Sequence, residues 1–89
     1  MKKFKVDYTP KAIKSLKKMD NSARKNIYDW INKNLVDCEN PRLHGKALQG
    51  DRDNEWRYRV GDYRLIADIQ DERILILLLD IDHRSQVYR

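Results

Sequence analysis

The 89-residue chain has one cysteine, Cys38, three glycines, two prolines and no long apolar stretch. Each scarcity excludes something. A single thiol cannot close an internal disulfide, which fits a reducing cytosol. The longest unbroken apolar run, Ile74 to Leu79, falls far short of the ~20 residues that span a bilayer. Met1-Lys2-Lys3-Phe4-Lys5 is basic but has no apolar segment behind it, so a secretory signal is not expected. Gly45, Gly50 and Gly61 stand isolated, so no glycine-rich loop cradles a phosphate. Asp80, Asp82 and His83 lie close in sequence, yet charged residues are ordinary at a strand end. No Cys-x-x-Cys or His-x-x-x-His pair exists, and His44 and Cys38 lack a spacing partner. No metal or other cofactor is expected. Cys38 reads as a small, buried or half-buried thiol rather than a nucleophile.

What the chain has in quantity is charge. Charged residues make up 37% and hydrophobic ones 40%, with 19 Lys+Arg against 14 Asp+Glu for a net charge of +5. The apolar residues are grouped, which argues against disorder. One domain over residues 1–89 is expected, in the cytoplasm, with no membrane partner. The charge is uneven. Residues 1–45 carry eleven Lys+Arg and five Asp+Glu, residues 46–89 eight and nine. Nine of the ten lysines lie in the first half, and seven of the nine arginines in the second. Lysine is a hydrated point charge, whereas arginine presents a planar fork that grips phosphate with two hydrogen bonds. The first half thus reads as an attracting surface and the second as a place for specific anion contacts. Ordinary helix and strand preferences explain the same split equally well.

Along the chain, Phe4, Val6 and Tyr8 alternate with Lys3, Lys5 and Asp7, the period of a half-buried strand. Thr9-Pro10 reads as a helix cap followed by proline in the first turn. Ala12, Ile13 and Leu16 form the apolar stripe of that helix. Asp20-Asn21-Ser22 ends it and caps a second helix, whose Ile27, Trp30, Ile31 and Leu35 recur at helical spacing. Residues 41–54 read as a loop with Gly45 and Gly50 as hinges and Leu43 and Leu48 as anchors. Three strands follow: Glu55 to Val60, Tyr63 to Gln70, and Ile74 to Ile81. Gly61-Asp62 and Asp71-Glu72 are the turns. The last strand is almost wholly apolar, the pattern of a central strand covered on both faces. Strand, two-helix hairpin and three-stranded antiparallel meander make an α+β fold with the helices on one face of the sheet.

A two-residue turn at Gly61-Asp62 fixes the register. Val60 then pairs with Tyr63, Arg59 with Arg64 and Tyr58 with Leu65. Arg57, Arg59 and Arg64 share one face; Trp56, Tyr58, Val60, Tyr63, Leu65 and Ala67 share the other, a core face. Arginines directly opposite each other repel by a few tenths of a kcal/mol up to ~1 kcal/mol. Asp68, Glu55, solvent or a bound phosphate would each offset that. The last strand returns near Arg64, so His83, Arg84 and Tyr88 are expected to approach the arginine face. Cations, an imidazole and a phenol together suit RNA phosphodiester cleavage. Of these groups only His83 titrates near neutrality. Arginine, with a pKa above ~12, cannot serve as the base.

Three segments carry a resemblance: Gly45-Lys46-Ala47-Leu48-Gln49-Gly50, then Trp56-Arg57-Tyr58-Arg59-Val60-Gly61-Asp62-Tyr63-Arg64, then His83-Arg84-Ser85-Gln86-Val87-Tyr88. Their combination and the element order resemble the RelE toxins of bacterial toxin–antitoxin modules, in the RelE/ParE superfamily, over essentially the whole chain. The resemblance implies a RelE-like fold and a ribosome-dependent endoribonuclease. Such toxins cut messenger RNA in the ribosomal A site by metal-independent attack of the 2′-OH, leaving a 2′,3′-cyclic phosphate. It implies that Arg57, Arg59 and Arg64 hold phosphate, that His83 moves a proton and that Tyr88 orients or stacks on a base. Lys46, Arg84 and the helical lysines would meet RNA. Some members have lysine where Arg57 and Arg59 stand; a base role held by that lysine would pass here to His83. The implied partners are a cognate antitoxin, the ribosome and messenger RNA, with operator DNA bound only through the antitoxin complex. A ParE-like inhibitor of DNA gyrase without its own chemistry is the alternative, and a degenerate toxin kept for partner binding a third.

Overall fold

The computed structural model describes residues 2–47 and 55–83. Its first strand, β1 (Lys5–Tyr8), leads at once into α1 (Pro10–Lys17). Thr9 makes that junction. Its hydroxyl accepts from the Ala12 N–H at 3.1 Å and donates to the Leu79 carbonyl at 2.8 Å. Proline follows in the first helical turn, where a missing N–H costs nothing. The helix thus starts at a point pinned to the sheet. Asp20 caps α2 (Asn21–Asn34) through the Ala23 N–H at 2.7 Å. Beyond α2 the chain turns at Asp37, which takes a left-handed φ of 61°. Two backbone bonds of 2.9 Å, Asp37 N–H to Phe4 and Phe4 N–H to Cys38, stitch that exit to the start of β1.

Four more strands follow: β2 (Lys46–Ala47), β3 (Glu55–Val60), β4 (Tyr63–Gln70) and β5 (Leu75–His83). The order across the sheet is β1-β5-β4-β3-β2. β1 runs parallel to β5, and the other neighbours are antiparallel. A parallel pair requires a long crossover, and the two helices begin it. The expected hairpin register holds: Val60 faces Tyr63, Arg59 faces Arg64 and Tyr58 faces Leu65.

The helices cover one face of the sheet. Tyr58, Leu65, Ala67, Ile69, Ile76, Leu78 and Ile81 from the strands meet Ala12, Leu16, Ile27, Ile31 and Leu35 from the helical side, all at 3% exposure or less. Burying each large aliphatic side chain contributes about 1.5–3 kcal/mol, so this one layer carries the fold.

Three expectations are corrected. Segment 41–54 contains strand β2, whose described residues, Lys46 and Ala47, carry no alternating pattern. Leu43 does not anchor that segment, being 73% exposed; Leu48 and Gly50 lie outside the described residues. Instead Pro41 is buried and its carbonyl accepts from the Tyr58 hydroxyl. Finally, β5 is central in the sheet but buried on one side only, for Leu75, Leu77 and Leu79 remain half-exposed. The apolar run therefore marks its position between two strands, not cover on both faces.

β5 also carries a bulge. Ala67 pairs with Leu78, yet Ile66 pairs with Asp80, leaving Leu79 without a partner on β4. Such an extra residue shifts the alternation of the strand that follows. Before the bulge the even positions Ile76 and Leu78 face the helices. After it the odd position Ile81 does.

Candidate nucleic-acid interface

Lys46, Arg57, Arg59 and Arg64 line a single shallow groove of about 230 Å³, with Gly45 at its edge. Three ladder positions bring them together. Lys46 stands opposite Arg57 across β2 and β3, Arg57 and Arg59 are two apart on β3, and Arg59 stands opposite Arg64. Among the described residues, no hydrogen bond or ion pair ties up Lys46, Arg57 or Arg59. The expected carboxylates, Glu55 and Asp68, share this face and stand opposite each other at the far end of the same ladder, where Asp68 accepts from the Gln70 amide at 2.9 Å. Four cations lining one groove attract a polyanion and can stabilise charge that accumulates on a phosphoryl group.

The groove's outer wall depends on contacts that the sequence alone did not show. Gly45 has a φ of +80°, and a Cβ there would overlap the Arg57 carbonyl oxygen and press on the Trp56 indole. Only glycine lets the chain cross so close to β3. The Trp56 indole N–H donates to the His44 carbonyl at 2.6 Å. Arg42 grips Asp71 with both guanidinium nitrogens, each bond 2.9 Å long. That fork holds Asp71 below the usual carboxylate range. The signal available in sequence was the isolated Gly45 directly before a lysine; the partner Asp71 lies 29 residues from Arg42 and carries no local pattern.

His83 is not beside the arginines. Its ladder partner is Tyr63, and the two rings meet edge to face with centroids 4.9 Å apart. Tyr63 belongs to the helix-facing side of β4, so His83 lies on the opposite side of the sheet from Arg57, Arg59 and Arg64. There it lines a separate depression of about 370 Å³ with Lys18, Asp20, Tyr63 and Asp82. The bulge at Leu79 is the cause, because it moves His83 to the helix-facing phase of β5. The expected meeting of imidazole and guanidinium groups is therefore corrected. Arg84 and Tyr88 lie outside the described residues.

The position opposite Arg64 is taken by Asp82. Asp80 and Asp82 perturb each other's ionisation. Burial works against ionisation at Asp80, but the Ile81 N–H, the Asp82 carboxyl and Lys11 outweigh it and leave Asp80 below its ordinary range. Burial, then Asp80 itself, pushes Asp82 above its own. Asp80 also accepts from the Ser15 hydroxyl at 3.2 Å and pairs with Lys11 at 3.4 Å, tying α1 to β5. Cys38 is half-buried and its thiol is pushed up by burial, the behaviour of a structural cysteine. No helix among the described residues is long and apolar enough to cross a membrane.

Known proteins share this architecture. The toxin–antitoxin complex RelBE2 of Mycobacterium tuberculosis contains a chain that superposes with a TM-score of 0.80 at 26% identity, covering 96% of this chain and 95% of that one. The isolated Escherichia coli RelE toxin has the same fold, with a TM-score of 0.74 at 22% identity over 96% of this chain and 90% of that one. In sequence, the toxin RelG of Mycobacterium tuberculosis (strain ATCC 25618 / H37Rv) is 37% identical over 49 residues, spanning 55% of this chain and 56% of RelG. The family model for the ParE toxin of the type II toxin–antitoxin system parDE matches residues 6–88. With nearly the whole chain matched, and with RelE-like helices over a five-stranded sheet, this protein belongs to the RelE/ParE superfamily and is a toxin of the type II toxin–antitoxin class.

Proposed function

We propose that this toxin is a ribosome-dependent endoribonuclease that cuts messenger RNA in the A site and so stops translation. The observation that carries the reading is the groove of Lys46, Arg57, Arg59 and Arg64, whose cations converge without internal carboxylates on Lys46, Arg57 or Arg59 among the described residues. In the reaction a base takes the proton of the 2′-OH and that oxygen bonds to phosphorus. The bond to the 5′ oxygen breaks and that oxygen receives a proton. The products are a 2′,3′-cyclic phosphate and a 5′-hydroxyl. Arg57, Arg59 and Arg64 bind the phosphate and stabilise the charge that gathers on it. Arginine keeps its proton beyond pH ~12, so it contributes charge and not proton transfer. Lys46 is the one amine among the described groove residues, and this reading gives it the proton-transfer role first expected of His83. Arg84 contacts RNA and Tyr88 stacks on a base.

A cognate antitoxin is the natural partner, since the relatives of known structure include toxin–antitoxin complexes. Operator DNA would be met only through that complex. The ribosomal target places the activity in the cytoplasm.

Primer extension on messenger RNA after brief induction, repeated in vitro with and without ribosomes, tests the reading. Cleavage within codons that requires ribosomes, and is lost in Arg57→Ala and Arg64→Ala, is the expected result. Intact messenger during growth arrest would overturn it. The match to the ParE model favours one second reading, a non-enzymatic inhibitor of DNA gyrase. A supercoiling assay with purified gyrase separates the two.

A further inference from the structure

Strand β2 poses a question of positioning. Its described residues, Lys46 and Ala47, are both exposed. Without apolar burial at these two residues, their position calls for support from elsewhere. Yet Lys46 lies in register with Arg57 at the groove. The preceding segment shows what holds it. The Pro41 carbonyl accepts from the Tyr58 hydroxyl, the Arg42 N–H donates to the Asn40 side-chain oxygen at 3.0 Å, and the His44 carbonyl accepts from the Trp56 indole. The Trp30 ring packs against both His44 and Tyr58. Arg42 lies with its guanidinium carbon 6.0 Å from the centre of the Trp56 ring while forking onto Asp71 in the turn between β4 and β5.

We propose that the Arg42–Asp71 fork, closed over Trp56, is a clasp that positions Lys46 in the groove. Arg42, Asp71 and Trp56 are positioning residues, and the proposal rests on the reading of the groove as a phosphodiester site. Energetics favour position over stability as the role of the fork. Asp71 is half exposed, and an exposed ion pair adds little stability. A bidentate fork nevertheless fixes orientation tightly. What it fixes is the segment that ends at Gly45 and delivers Lys46.

Asp71→Asn provides a test that general electrostatics cannot imitate. It makes the protein more positive, so charge alone predicts tighter binding of RNA. The clasp predicts the reverse. The affinity of the purified chain for a short single-stranded RNA, at one fixed low salt concentration, should fall about three- to tenfold in Asp71→Asn, in Arg42→Ala and in Lys46→Ala, by analogy with the loss of one phosphate contact. Adding Asp71→Asn to Lys46→Ala should change it less than about twofold, because partners acting through one group are not additive. The exchanged pair Arg42→Asp with Asp71→Arg should recover part of the loss. The cross-strand NMR contact between Lys46 and Arg57 is read with no RNA present, and should weaken in Asp71→Asn.

An undiminished NMR contact overturns the proposal, as does RNA affinity in Asp71→Asn equal to or above that of the starting chain. Failure of the unmutated chain to bind RNA overturns the groove reading instead, and the NMR contact alone then decides the clasp.

Discussion

Arg59 and Arg64 stand directly opposite each other on the β3–β4 ladder, on the face turned away from the helices. Like charges at this spacing destabilise a sheet, and among the described residues Arg59 has no ion-pair partner to offset them. A bound polyanion would weaken the repulsion that Arg59 meets there. Removing it should reveal the conflict between stability and activity that functional sites show. Arg59→Thr, which keeps a strand-forming residue, should stabilise the fold by a few tenths of a kcal/mol up to ~1 kcal/mol. The gain should shrink in high salt, while RNA cleavage falls. Chemical denaturation at two salt concentrations, beside the primer-extension assay, reads both.

The Asp80–Asp82 pair gives a pH dependence with a definite sign. Asp82 has a raised folded-state pKa, so its charge opposes folding at neutral pH. That penalty is full above the folded pKa, declines as pH falls through it, and is gone below the unfolded value of ~3.9. Asp82→Asn should therefore melt higher than the unmutated chain at pH 7, and the two melting curves should converge toward pH 4. Asp80 and Asp71, both lowered, act the other way: their stabilisation is present above ~3.9 and is lost as pH falls through their folded values.

Tyr58 is wholly buried and donates to the Pro41 carbonyl. Tyr58→Phe leaves that carbonyl unpaired and should cost about 1–3 kcal/mol, measured by urea denaturation. Burial also raises the Tyr58 phenol, and burial followed by the neighbouring Tyr28 raises that of Tyr8 to about 12. A raised phenol stabilises the fold fully below the unfolded pKa of ~10, and this is lost as pH climbs through the folded value. The alkaline loss of stability should accordingly be shallower in Tyr58→Phe.

Thr9 serves two elements with one hydroxyl, capping α1 and donating to Leu79 at the bulge. Thr9→Ala should cost about 1–2 kcal/mol, the upper part of the range for a lost cap. Thr9→Ser retains the oxygen and should recover most of it. Thermal melts of the two variants make the comparison.

The helices, the hairpin and the arginine face were legible in sequence because the signals that set them are local. Thr9-Pro10 and Asp20 act within three residues of themselves. The Gly61-Asp62 turn fixes the register of every pair up to Glu55 and Asp68. Once that register is set, alternation alone puts Arg57, Arg59 and Arg64 on one side. The fourth groove cation, Lys46, was legible only as a lysine after a glycine. Its place opposite Arg57 depends on Asp71, far along the chain, and on an indole that reaches a backbone carbonyl.

His83 shows the same limit most plainly. By itself the sequence determined a strand ending at Ile81 and its return to the neighbourhood of Arg64, and the structure carries that strand on through His83. Which face the imidazole takes was decided by tertiary structure, through one extra residue at Leu79. Continuous alternation from Ile76 and Leu78 would have buried Asp80 and Asp82 and turned His83 toward the arginines. The bulge instead buries Ile81 and keeps both carboxylates out of the core. An apolar phase that jumps from Leu78 to Ile81 is the trace it leaves in sequence. Its physical cause is the cost of burying charge, a cost that exists only once the helices cover that side of the sheet.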